Sequence, residues 1–208
     1  MYDQRVNDAM ASDVAAFVLA GGKSTRMGKD KAFLRLGGET LLVRAMQQAS
    51  AVTTNVWIVG DAKKFAAFGR VIEDVYPDRG PLGGIHAALR SSPAEQNLML
   101  AVDLPFVDAR FLNYLIGQAR ESGALVTVAR AGGGWQPLCA VYRAGFFEIA
   151  EQSLREGKNK IDGLFAGVET RVIAESELIG AGFSPEMFRN LNTPADWERA
   201  QESFPLNG

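Results

Sequence analysis

The stretch VAAFVLAGGKSTRMGKDKA, Val14 to Ala32, starts as one kind of structure and ends as another. Val14–Ala20 is an unbroken apolar run of strand length, as expected of a strand buried on both faces. Gly21 and Gly22 then fall at its carboxyl edge, where glycines let backbone approach a ligand and aim N–H groups at it. Lys23, Arg26, Lys29 and Lys31 follow in close succession. Such crowding costs self-repulsion unless an anion neutralises it or the side chains splay into solvent. A solvated surface loop is the plain reading of any lone cation cluster. Its place after a strand and a Gly-Gly turn favours a phosphate-holding loop, though one matching neither G-x-x-x-x-G-K-[ST] nor G-x-G-x-x-G.

The rest of the chain repeats the strand-then-helix rhythm. Strands are predicted at Val14–Ala20, Asn55–Val59, Arg70–Glu73, Asn97–Val102 and Ala124–Ala129, each short and apolar. Between them, Leu41, Leu42, Ala45, Met46, Ala49 and Val52 share one helical face. Phe111, Leu112, Leu115, Ile116 and Ala119 share another, behind Asp108 as helix cap. This alternation predicts right-handed βαβ units, hence an α/β fold of three layers, Rossmann-like, with a mostly parallel sheet covered on both sides. Ligands then sit beyond the carboxyl ends of the strands. After Ala129 the pattern changes. A turn at Gly132–Gly134, a strand at Pro137–Tyr142, a helix from Gly145 to about Glu156 and a strand at Thr170–Ala174 predict antiparallel additions in the C-terminal part and a second binding face. Thr193, Pro194 and Asp196 open a last helix as cap, first residue and first-turn acid.

The chain has 208 residues, which suits one such domain with at most a small appended lobe. Hydrophobic residues make up 47% and the net charge is −2, so no global basic field draws it to nucleic acid. Cys139 is the single cysteine, which excludes an intrachain disulfide and suits a reducing cytoplasm. No apolar run has membrane-spanning length. Residues 1–12, polar and without a signal-peptide pattern, read as a disordered leader before a domain spanning 13–208.

Two acids stand at predicted strand ends. Asp103 follows NLMLAV and precedes Pro105, a placement suited to Mg²⁺, which takes hard oxygen ligands and keeps phosphates and waters as the remainder. A loop or capping role is its alternative, but Asp108 is the better cap. Asp74 ends another strand on the same side. GPLGG (Gly80–Gly84), with Gly83 inside it, offers a glycine-lined backbone surface to a flat base, or is a tight turn and helix start with no ligand.

LAGGKSTRMGKDKA, GPLGGI, AVDLPFV and NLNTPADW, in this order, resemble the molybdenum cofactor guanylyltransferases (the MobA family) of the NTP-transferase superfamily, from about Val14 to Trp197. The first motif is specific for the superfamily, and Gly22 is more like the guanylyl than the cytidylyl branch. The resemblance implies a nucleotidyltransferase fold, with the nucleotide on about 13–130 and the acceptor on about 131–200. It implies that Leu19, Ala20, Gly21, Gly22, Asp74 and Gly83 lie against the nucleotide. Arg26 and Lys31 would clamp its phosphates, and Asp103 would be the Mg²⁺ ligand; Arg26, Lys31 and Asp103 form the catalytic set. The reaction implied is transfer of GMP from GTP to the terminal phosphate of molybdopterin, with release of pyrophosphate. Hand-over contacts with other proteins of cofactor biosynthesis and with acceptor molybdoenzymes are implied too.

Gly60 stands where the family often has an Asn touching the nucleotide. Asn192 matches a metal-ligating Asn of wider relatives, or is part of the turn into the Thr193 cap. Lys158 and Lys160 match cations for the pterin phosphate, or lie in a solvated loop. Trp135 is either packed or a pterin contact. His86, Cys139 and Trp57 read as structural, His86 on the helix surface or packed. Rival functions are a cytidylyltransferase of the same cofactor, a nucleotidyltransferase on another phosphorylated small molecule, and a nucleotide-binding regulator without catalysis.

Overall fold

Alternate side chains of Val14–Leu19 (β1) serve two separate cores. Val14, Ala16 and Val18 enter one buried cluster, Ala15 and Phe17 the other. That division requires layers on both faces of the sheet, and a computed structural model describing residues 13–21, 30–191 and 193–203 has them. Helices Leu41–Ser50 (α1) and Ala109–Ser122 (α4) cover the first face; Pro81–Ser91 (α3) and Phe146–Arg155 (α5) cover the second. The caps follow their chemistry: Thr40 Oγ1 accepts from Val43 N (3.2 Å) and Asp108 Oδ1 from Phe111 N (2.9 Å). Each such cap is worth about 1 kcal/mol to its helix.

β1 lies between Val56–Val59 (β4) and Gln96–Ala101 (β6), parallel to both, and Arg70–Ile72 (β5) continues the parallel set to an edge. Arg35–Leu36 (β2) and Glu39–Thr40 (β3) form a separate small hairpin. Beyond β6 come Gly134–Arg143 (β8), Val126–Ala131 (β7) and Thr170–Ala174 (β9), so the main sheet reads β5-β4-β1-β6-β8-β7-β9.

The antiparallel character expected of the C-terminal part is carried by β8, which is antiparallel to both neighbours and inserted between β6 and β7. β9, expected among the same additions, is instead parallel to β7. The chain leaves β8 beside the start of β7 and, after α5 and the 3-10 turn Asp162–Gly167, re-enters at that same end, which fixes its direction. Several boundaries also move by one to three residues: β6 stops at Ala101, β7 runs on to Ala131, and β8 starts as early as Gly134.

Glu175–Gly180 (α6) follows β9, and Pro194–Ser203 (α7) closes the described chain. At its start Thr193 Oγ1 accepts from Asp196 N (3.1 Å), while Asp196 Oδ2 accepts from Thr193 N (2.9 Å), a reciprocal capping box. Ala200 of α7 joins Leu191, Leu36 and Leu41 in a small third core. The leader expected at residues 1–12 lies outside the described residues, as do Gly22, Lys23, Arg26, Lys29 and Asn192.

Candidate active site

The parallel strands end in loops on one side of the sheet, and the described candidate residues lie on that side. Leu19 ends β1, and the next two residues stay tied to the sheet. Val59 O accepts from Ala20 N at 2.9 Å and from Gly21 N at 3.1 Å. The expectation that the Gly21 amide faces a ligand therefore fails: the strand ladder runs one residue too far. What Gly21 offers is a side-chain-free Cα in an exposed position.

Asp103 lies two residues beyond β6. Leu104 N bonds Ala101 O (3.3 Å), turning the chain out of the strand, and Leu191 N bonds Asp103 O (3.4 Å), drawing the C-terminal segment to the same place. Lys31 arrives from another direction, on the 3-10 turn Lys31–Phe33, and donates to Asp103 Oδ2 at 3.3 Å. The two side chains are 20% and 24% exposed, so the pair is partly dry but open to an incoming anion.

Asp74 lies two residues beyond β5. Its residue surface is exposed, yet the carboxylate rests on the first turn of α3. A Cβ placed on Gly83 would stand 2.7 and 2.9 Å from its two oxygens. Burial of the carboxyl against that turn raises its pKa above the usual aspartate range, partly countered by a hydrogen bond from the Tyr76 backbone. The GPLGG segment is a helix start, with Gly80 at φ 66° as cap and Pro81 first in the helix. Gly83 itself is buried beneath Asp74.

At the end of β4, a Cβ on Gly60 would meet Phe65 ring carbons at 2.8 and 3.0 Å and Gly21 N at 3.4 Å. The ring of Phe65 fills the volume that a side chain at this position would need.

The family model described as "MobA-like NTP transferase domain" matches residues 16–170. The chain belongs to this family. It is 36% identical to a probable molybdenum cofactor guanylyltransferase of Pelotomaculum thermopropionicum, over 88% of this chain and 90% of that protein. It is 32% identical to one from Carboxydothermus hydrogenoformans, over 91% and 95% respectively. Among solved structures it is similar to molybdopterin-guanine dinucleotide biosynthesis protein A from Archaeoglobus fulgidus. That match has a TM-score of 0.81 and 26% identity, and covers 91% of this chain and 97% of that one.

In this MobA-like transferase the residues read as structural are so. Cys139 is fully buried and its thiol is pushed well up by desolvation. His86 is packed, not at the helix surface: it is fully buried between Phe147 (stacked, 4.9 Å) and Tyr76 (edge-on, 5.1 Å). Trp57 packs on the core with one face only, the other carrying Arg70 at 5.2 Å. Trp135 packs against Phe165 (5.1 Å) beneath Arg130 (5.4 Å). Lys158 pairs with Glu156 at 2.7 Å, and Lys160 is exposed.

The donor set suits magnesium in one mode. Among the described residues no group of three or more His, Cys, Asp or Glu converges as a protein-built cage. A single open strand-end carboxylate, Asp103, is instead what Mg²⁺ uses when substrate phosphates and waters complete its shell. The turn residue Asp30 and its partner Lys64 were not singled out from the sequence, and no local pattern marks a pair 34 positions apart.

Proposed function

We propose that this chain transfers GMP from GTP to the terminal phosphate of molybdopterin, releasing pyrophosphate. The observation that carries the reading is the meeting of Lys31 and Asp103, 72 positions apart, at 3.3 Å beyond the sheet, in a chain of the MobA-like family. An oxygen of the acceptor phosphate attacks the α-phosphorus of GTP. The bond from that phosphorus to the bridging oxygen breaks, and pyrophosphate leaves with the electron pair. A phosphate monoester is already largely dianionic at neutral pH, so no general base is required. What remains is repulsion between anions and charge growing on the leaving group, which positioned cations relieve.

Each residue then has its task. Lys31, held by Asp103 in the free protein, turns its ammonium to the triphosphate, and Arg26 of the first motif joins it. Asp103 would hold Mg²⁺. When bound, that ion neutralises phosphate oxygens. Leu19, Ala20, Gly21 and Gly22 line the nucleotide on one side and Asp74 on the other, while Gly83, expected to touch the nucleotide, lies buried beneath that carboxylate and supports it. Asp74, whose ionised form is disfavoured by burial, is better suited to accept from neutral nucleoside donors than to hold a metal. The nucleotide belongs to about residues 13–130 and the acceptor to about 131–200. A cytoplasmic setting is part of the same reading; among the described residues no helix is long and apolar enough to cross a membrane.

Pyrophosphate release with molybdopterin and each of the four NTPs, with and without Mg²⁺, is the test. GTP alone should serve, and only with the metal. Release with CTP would move the chain to the cytidylyl chemistry. Metal-independent GTP binding without release would leave a nucleotide-binding regulator.

A further inference from the structure

Lys31 reaches Asp103 from a 3-10 turn of three residues, too short to fix its own position. Its anchor lies some thirty residues on, at the one-turn helix Ala62–Phe65 (α2). Lys64 Nζ stands 2.9 Å from Asp30 Oδ2, and Oδ1 of the same carboxylate caps the turn by accepting from Ala32 N at 3.2 Å. At the far end of the turn, the Phe33 ring lies 5.6 Å from Phe65 and 5.8 Å from Phe68. Phe65 is 1% exposed, seated in the space left by Gly60, so it is a fixed surface. α2 is itself pinned: Asp61 Oδ1 accepts from Lys63 N at 2.8 Å, and Glu73 Oε1 from Ala62 N at 3.1 Å. Both flanks of Lys31 are thus gripped by one neighbouring element, the first through charge and the second through ring contact.

We propose that Lys64 and Phe33 are positioning residues that hold the Lys31 turn beside the strand end that carries Asp103, so that its ammonium is within reach of the triphosphate for the transfer step. The inference rests on the role proposed for Lys31. An exposed ion pair adds little to global stability. It can still bias where a short turn sits, and small misplacements of a reacting cation are costly in rate. Being exposed, the Lys64–Asp30 pair also weakens with salt.

Lys64→Met keeps the aliphatic stem and removes the charge. It should lower kcat about two- to five-fold, the range an exposed pair can supply, with KM for GTP and Tm little changed. Lys64→Arg should restore the rate. Phe33→Ala should act in the same direction. In a Lys31→Ala background Lys64→Met should cause no further loss, because residues acting through one group are not additive. A wild-type rate for Lys64→Met, or an equal fall with Lys31 already removed, overturns the proposal while leaving the role of Lys31 intact. Near-normal turnover by Lys31→Ala alone overturns the reading on which it rests.

Discussion

Two carboxylates leave parallel strands on the same side of this sheet, each two residues past the strand end, and their surroundings are opposite. Asp103, at the sheet centre, has an ammonium at 3.3 Å. Asp74, at the edge, lies on the glycine turn of α3, where burial raises its pKa. The centre is arranged for charge, and the edge holds a carboxylate that resists being charged. Topology alone gives both acids the same position, so the difference comes from what each neighbouring loop supplies: a lysine on a 3-10 turn, or a helix start stripped of its Cβ.

Removing charge at the centre should have the largest effect. Lys31→Ala or Asp103→Ala should lower turnover by about two to three orders of magnitude, the usual result of deleting one transition-state contact. Circular dichroism should change little, since both side chains lie beyond the strand ends and are partly exposed. Near-normal pyrophosphate release by either variant would erase the distinction between centre and edge.

The edge should respond differently. Asp74→Asn should lower kcat/KM about ten-fold, in keeping with a weakened hydrogen bond rather than a lost charge. The same change should raise Tm at neutral pH. The sign follows from the shift: a carboxyl with a raised folded-state pKa loses stability as pH rises through that pKa, so its ionised form is a cost at pH 7. The amide removes that cost. Gly83→Ala, whose methyl would stand 2.7 Å from an Asp74 oxygen, should lower activity in the same assay by displacing the carboxylate. A variant Asp74→Asn that is less stable at neutral pH would show that the edge is built for folding rather than for a ligand.

Much of this arrangement is legible in the chain. The apolar run of β1, the stripe Leu41-Leu42-Ala45-Ala49 and the Asp108 cap are local signals, and local physics settles them. Lys31 of the first motif and the acid after NLMLAV come together, as the parallel strands that deliver their ends to one side lead one to expect. The insertion of β8 between β6 and β7 is not legible, since pairing across the sheet depends on the whole topology and no local pattern encodes it. Neither is the use of the Gly21 amide by Val59 O, which depends on where a neighbouring ladder stops. Lys64 looks like any surface lysine until α2 is set beside the Lys31 turn.

The smallest expected effect tests the layer beneath the edge. His86 lies one turn along α3 from Gly83, fully buried, and among the described residues neither ring nitrogen has a hydrogen-bond partner. Desolvation lowers its pKa from the ordinary 6.5, and the nearby charges of Glu151, Arg90 and Arg155 act in opposing senses. As pH falls through about 6.5 the unfolded chain takes up this proton before the folded one does. Stability is therefore lost progressively until the folded-state pKa is reached, at ~1.4 kcal/mol per unit of depression. His86→Phe keeps a flat ring against Phe147 and has no proton to gain. Thermal unfolding followed from pH 8 to 5 should show a steeper fall in Tm for the parent chain than for His86→Phe, with GMP transfer at pH 7.5 little altered. Parallel Tm curves would mean that the His86 site admits water and a proton without opening, and that the floor under Asp74 is softer than its burial indicates.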